Sequence, residues 1–292
     1  MSWSTVHRIL RITRAPGGER RAALSSQPLE TLRFPEHAAA FVAGGRETVG
    51  ALPVKTAKVD GAVFSSRGRQ YLKYNEDAAG MFFDQRGAVY ICVLDQAGKL
   101  GGKVRGGASQ LAGLEIADAF QRIASSPAQL DAEVALDEIV AAFERAHRRL
   151  IDRGENEVTT AIAAIVRPGE LLVASSGDCG VALFDAAGEP RSATRLQRST
   201  RRQDSYLEHA LGLVEAGHEP ERYVWPMSTG DWAVVASGGL LNSGLSPHDV
   251  GRHLRRSAEK ATNSLASSVL RRMSVRMARP DNLSMAVARS LR

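Results

Sequence analysis

The chain has 292 residues, 43% of them hydrophobic and 24% charged, with a net charge of +6. That length supports a sizeable core in one large domain or two smaller ones, and no run of about eighteen apolar residues exists to cross a bilayer as a helix. The two cysteines, Cys92 and Cys179, are too few for a disulfide framework, and the arginine-rich stretches at 191–202 and 252–279 lack the interleaved aromatics of a nucleic-acid surface, so free thiols and solvated basic faces are expected.

In chain order, residues 1–52 are rich in arginine, alanine and glycine, broken at Pro16-Gly17-Gly18 and Gly44-Gly45, with a short strand candidate near Val6–Ile12. They read as an N-terminal extension, with 53–292 as the main domain. The first residues lack the apolar core of a signal peptide, which makes the cytoplasm the expected location. Apolar, β-branched runs then recur at Ala62–Phe64, Ala88–Leu94, Thr159–Val166, Leu171–Ala174, Val181–Phe184, Trp232–Ala236 and Leu283–Val287. Between the second and third lie two helical patterns. One spans about 108–123. In the other, Leu136, Ile139, Val140, Phe143, His147 and Leu150 form a single stripe. Two later helices are expected, one opening at Ser246-Pro247 with a cap and a first-turn proline, the other at 263–277. Strands interrupted by helix pairs predict an α+β fold: a four-layer α-β-β-α sandwich of two mostly antiparallel sheets flanked by helices.

Five short segments at strand ends carry the chemistry: Tyr74-Asn75-Glu76-Asp77, Val93-Leu94-Asp95, Ser176-Gly177-Asp178, Ala236-Ser237-Gly238-Gly239-Leu240 and Pro280-Asp281-Asn282. Carboxylates placed just outside apolar strands converge where the strand ends meet. Oxygen ligands gathered in this way suit hard divalent cations such as magnesium or manganese.

Over residues 54–292 this order resembles the metal-dependent serine/threonine phosphatases of the protein phosphatase 2C family. Asn75-Glu76-Asp77 is similar to the family's first acidic motif, and Val93-Leu94-Asp95 to the strand whose aspartate bridges two metal ions. Thr159-Thr160 and Gly177-Asp178 resemble the central hairpin. Ala210-Leu211-Gly212, Gly230-Asp231 and Val234 to Ser237 look like the stretch leading to a metal aspartate, and Asp281-Asn282-Leu283-Ser284 like the last ligand motif. The resemblance implies that Asp95 bridges both ions, Glu76 binds one, Asp281 binds the other and Asp77 orients water. It further implies that Asp178 serves a looser third position and that the backbone carbonyl of Gln96 is a ligand, its side chain standing at the mouth. Two Mn2+ or Mg2+ ions per site would then activate water for phosphoester hydrolysis without a covalent intermediate. The implied partners are a phosphorylated protein substrate and a serine/threonine kinase system as its counterpart, with no nucleic acid, no membrane and a monomeric chain.

The departures from the pattern are specific. Gly238 stands where an aspartate would hold the second ion, and Asn242 where a further carboxylate is usual. Glu76, Asp95 and Asp281 bring three negative charges against the four positive charges of two ions, so one ion is expected to bind weakly. Leu72 takes the place of a phosphate-binding arginine, leaving Lys73 as a point charge without a two-pronged clamp. Ala97 offers no general acid. A catalytically impaired relative that acts as a phosphoprotein-binding or regulatory module is therefore the alternative, followed by an adaptor built on the extension and its basic face.

Other features have plainer readings. The stretch 98–107 lacks the first glycine and the Ser/Thr of a phosphate loop and reads as a flap beside the site. His147 and His209 have no second histidine at ligand spacing. Ser175 and Ser176 lack a nucleophile elbow. Asp178 reads equally as a hairpin-turn aspartate bonded to its own backbone.

Overall fold

The computed structural model describes residues 40–43, 47–68, 75–97, 107–153, 157–201, 204–214, 219–276 and 281–291. The strand candidate at Val6–Ile12, the residues Leu72 and Lys73, and the flap at 98–106 lie outside them.

Two six-stranded sheets form the middle of the molecule. The first runs β1 (Ala40–Val42), β4 (Ala78–Phe83), β5 (Val89–Ala97), β6 (Val158–Arg167), β7 (Gly169–Ser176) and β12 (Glu221–Met227). The second runs β2 (Leu52–Lys55), β3 (Val59–Ser66), β14 (Leu283–Ser290), β13 (Trp232–Ala236), β8 (Gly180–Phe184) and β9 (Pro190–Ala193). Every described strand pair is antiparallel. A separate hairpin pairs β10 (Arg198–Arg201) with β11 (Asp204–Leu207).

Side-chain alternation sorts these strands into layers. Val89, Ile91 and Val93 of β5, with Ile162, Ala164 and Val166 of β6, meet Val59, Val63, Val235, Ala286 and Ala288 of the second sheet. The alternate residues Tyr90, Cys92, Leu94, Ala161, Ala163 and Ile165 face α1 (Gly107–Ser125) and α2 (Ala132–Arg153). Covered on both faces, β6 is buried along its whole length, which explains its uninterrupted apolar sequence. On the other side, α5 (Ala258–Arg276) lays Ala261, Leu265, Val269 and Met273 against Ala62, Val234, Met285 and Val287. The expected α-β-β-α sandwich is the observed one.

Two boundaries move. Ala40, Phe41 and Val42 pair with Met81, Gly80 and Ala79, so the sandwich takes in part of the stretch read as an extension ending at residue 52. The cause is Phe41, whose ring lies 6.1 Å from that of Phe82 and packs against the bare backbone of Gly80 and Gly113. A three-residue strand is too short for periodicity to reveal. The last helix begins at Ala258, five residues earlier than expected, because Asp60 Oδ2 accepts the Ala258 N–H and anchors its first turn. Of the two short helices α3 (Gly238–Asn242) and α4 (Pro247–Gly251), the second has the expected first-turn proline, and Ser246 and Asp249 form a full capping box.

Candidate metal centre

The two sheets bring their acidic ends together at one edge of the inter-sheet layer. Asp95 continues the inward-facing series Val89, Ile91, Val93, so its carboxylate points toward the second sheet. Asp77 immediately precedes β4 and is fully buried. Asp281 sits two residues before β14, and Asp178 in the turn between β7 and β8. Asp95, Asp178 and Asp281 are only partly buried, which places the open side of the cluster at these residues.

Mutual repulsion shows that these four carboxylates share one field. Desolvation first, then the charges of Asp77, Asp281 and Asp178, pushes Asp95 well above the usual carboxylate range. Burial, then the charge of Asp281, raises Asp77 to about 8, against the hydrogen bond from Ser237 Oγ that lowers it. Burial, followed by the charges of Asp95 and Asp178, likewise pushes the Cys179 thiol up, which leaves it protonated and unreactive. Like charges held together out of water call for a cation.

The atoms available to such a cation are oxygens. Asp77 Oδ2 accepts from Ser237 Oγ at 2.9 Å, while Asp77 Oδ1 is buried without a hydrogen-bond partner. That orphaned oxygen and the carboxylate set fit a hard divalent ion. The cage is incomplete: among the described residues no three His, Cys, Asp or Glu side chains already close round one point. Gly238 marks one gap. Its N–H donates to Asp95 Oδ2 at 3.2 Å, and a Cβ built there would lie 3.0 Å from the same oxygen. An aspartate at 238 would therefore point into the cluster. Asn242 Nδ2 lies 3.5 Å from that Cβ position, so the second substituted residue also borders the gap.

The remaining sequence-derived candidates are placed as follows. Glu76 is buried beside Asp77, with its carbonyl bound by Ser109 Oγ of α1. Gln96 is buried, and strand alternation puts its side chain on the face opposite Asp95. Its backbone carbonyl is the atom to which the resemblance assigned a role. Asp178 follows Gly177, whose N–H donates to Gln197 Oε1 at 2.7 Å while its carbonyl accepts from Gln197 N–H at 2.9 Å. The turn is thus held by Gln197, a residue the sequence reading passed over. His147 Nδ1 accepts the Gly212 N–H at 3.1 Å, an anchoring role for the loop after β11. The buried serines Ser65, Ser237 and Ser284 around Asp77 were also missed, since nothing local in sequence pairs them.

No family model matches the sequence, and no curated protein matches it either. Solved structures do. A serine/threonine phosphatase of S. agalactiae superposes with a TM-score of 0.67 at 19% identity, over 79% of this chain and 99% of that one. The serine/threonine phosphatase PstP/Ppp of Mycobacterium tuberculosis gives 0.63 at 20% identity, over 80% and 100%. Its catalytic domain in complex with two manganese ions gives 0.63 at 20%, over 80% and 99%. PppA, a regulatory component of T6SS in Pseudomonas aeruginosa, gives 0.62 at 20%, over 80% and 99%. The chain has the fold of these bacterial phosphatases.

Proposed function

We propose that this chain is a metal-dependent protein serine/threonine phosphatase whose carboxylate cluster holds one divalent ion firmly and a second weakly. The observation that carries the reading is the placement of Asp77, Asp95, Asp178 and Asp281 at strand ends of the two sheets, where the Gly238 N–H reaches Asp95 Oδ2 and Ser237 Oγ reaches Asp77 Oδ2. The solved phosphatases with this fold, one of them with two manganese ions, support it.

A bound Mn2+ or Mg2+ lowers the pKa of a coordinated water and offsets charge on a phosphoryl group. The protein's part is to hold Asp95 and Asp281 as ligands from opposite sheets, with Glu76 and the Gln96 carbonyl beside them. Asp77 offers Oδ1 as a fixed acceptor that orients the attacking water and takes its proton. Asp178 borders the open side, where a looser ion or the substrate phosphate enters. Lys73, next to the first acidic segment, supplies a point charge for that phosphate. The substrate is a phosphoserine or phosphothreonine of a protein, the counterpart a serine/threonine kinase system, and the chain acts as a cytoplasmic monomer in signalling. Among the described residues no helix is long and apolar enough to cross a membrane.

A second reading draws on Gly238. Its N–H satisfies the Asp95 oxygen that a second ion would otherwise claim. A chain that never fills that position binds a phosphorylated partner without hydrolysing it. Calorimetric titration with Mn2+, paired with hydrolysis of an aryl phosphate in metal and in excess chelator, decides between the two. Turnover that needs metal supports the phosphatase, and undiminished turnover in chelator sinks it. Metal binding without turnover selects the second reading.

A further inference from the structure

Four buried polar residues, Ser65, Asn75, Ser237 and Ser284, join Asp77 in one connected network. Ser65 and Ser284 are opposed across β3 and β14, on the face that looks toward the first sheet, and their hydroxyls are 2.7 Å apart. Asn75 Nδ2 donates to Ser65 Oγ at 2.6 Å. Ser237 Oγ lies 2.9 Å from Asp77 Oδ2. All five residues, Asp77 included, are fully buried.

Hydroxyl groups donate or accept, so distances alone leave the direction of such a network open. Here two backbone N–H groups, which can only donate, fix the parts that touch Asp77. The Ser284 N–H donates to Ser237 Oγ at 3.0 Å, so the Ser237 proton is left to point at Asp77 Oδ2. The Asp77 N–H donates to Asn75 Oδ1 at 3.1 Å, which fixes the amide and turns Nδ2 toward Ser65. Ser65 and Ser284 share one hydroxyl–hydroxyl hydrogen bond, and Ser284 joins the Asp77 side through its backbone N–H on Ser237. Both arms meet at Asp77, Ser237 at Oδ2 and Asn75 at the backbone N–H.

We infer that Ser237, with Ser284, Ser65 and Asn75 behind it, is a positioning residue. The network locks the Asp77 carboxylate with Oδ2 turned to the second sheet and the orphaned Oδ1 presented to the cluster. This rests on the metal-centre reading above and adds to it the residues that set Asp77's orientation. Partners of this kind behind a metal site typically change metal affinity by about 10 to 100-fold. A buried serine that served only to fill space would leave affinity unchanged on truncation and lower stability alone.

The test uses the full chain and Mn2+ alone, followed by calorimetry, with melting temperature recorded in parallel. Ser237→Ala is expected to weaken Mn2+ binding by about 10-fold, and Ser237→Thr, which keeps the hydroxyl, to bind close to wild type. Ser65→Ala reaches Asp77 only indirectly, through Ser284 and Asn75, and should show a smaller loss in the same direction, which keeps the inference testable if the threonine fails to fold. Equal affinity in wild type, Ser237→Ala and Ser65→Ala, with only the melting temperatures lowered, overturns the positioning role while leaving the metal centre standing. No Mn2+ binding by the wild type overturns the metal centre itself and the inference with it.

Discussion

The backbone N–H of Gly238 donates to Asp95 Oδ2 at 3.2 Å, so one oxygen of the cluster's central carboxylate is already engaged by the main chain. Gly238 lies outside the left-handed region, and its built Cβ stands 3.0 Å from that oxygen. The glycine is therefore not required by the backbone. Gly238→Asp should fold, with Asp95 and the new side chain parting by a few tenths of an ångström. Without metal, the added like charge should lower the melting temperature. With Mn2+, affinity should rise by about 10-fold or more, because a ligand is restored where one is missing. A folded variant with unchanged Mn2+ affinity in calorimetry shows that position 238 takes no part in metal binding.

Asp95 stands between the other carboxylates, feeling the charges of Asp77, Asp281 and Asp178 at once. Its removal should accordingly cost more Mn2+ affinity than that of any one neighbour. The expected order of loss is Asp95→Ala first, then Asp281→Ala and Glu76→Ala, with native circular dichroism in all three. Small and equal losses would mean that these groups do not act as one centre.

The raised Asp77 carboxyl makes the ion-free protein sensitive to pH. Burial and the charge of Asp281 push its folded pKa up to about 8, well above that of an ordinary aspartate, so the native state holds a proton that the unfolded chain releases. That contribution to stability is complete below about pH 4 and is lost as pH rises through 8. In chelator, the wild type should melt at a lower temperature at pH 8 than at pH 5.5, and Asp77→Asn should abolish much of the difference. At pH 8 the variant should be the more stable protein, by a gain on the order of 1 to 3 kcal/mol. Saturating Mn2+ should reverse the ranking, since the ion favours the charged wild type. Identical pH profiles for the two proteins in chelator would remove Asp77 from the cluster's electrostatics.

What the sequence made legible was whatever repeats locally. The run Val89 to Leu94 announces β5, and its alternation fixes the side on which Asp95 emerges, since Val93 and Asp95 share a face. The same alternation puts the buried Gln96 side chain on the opposite face of the strand. The strands at and beside the sheet edges were harder. The edge strand β12 carries Pro226 and alternates between half-buried and exposed residues, and β4, next to the three-residue edge strand β1, contains Gly80, kept small by the Phe41 ring above it. The serine network was beyond reach because its contacts join residues 160 and 219 positions apart, and periodicity reports a face without naming the partner across it.

Gly177 offers a further test of how the turn carrying Asp178 is built. Its φ is +101°, and a Cβ would fall 2.4 Å from Thr160 Cγ2 and 3.2 Å from the His209 carbonyl. Thr160 in turn sits on β6 opposite Asp95 in the ladder, so a displaced turn presses on the strand pair that holds the cluster. Gly169 is the natural control: its φ is +86°, yet a Cβ there meets nothing within 4 Å. Gly169→Ala should therefore show only the conformational cost, on the order of 1 kcal/mol. Gly177→Ala should cost about 2 to 4 kcal/mol, since strain and a buried clash add to it. Denaturant unfolding of both variants checks the difference. If Asp178 lines the metal centre, Gly177→Ala should also weaken Mn2+ binding while Gly169→Ala leaves it intact. Equal stabilities for the two alanine variants would show that the turn yields without resistance and that neither Thr160 nor Gln197 holds it in place.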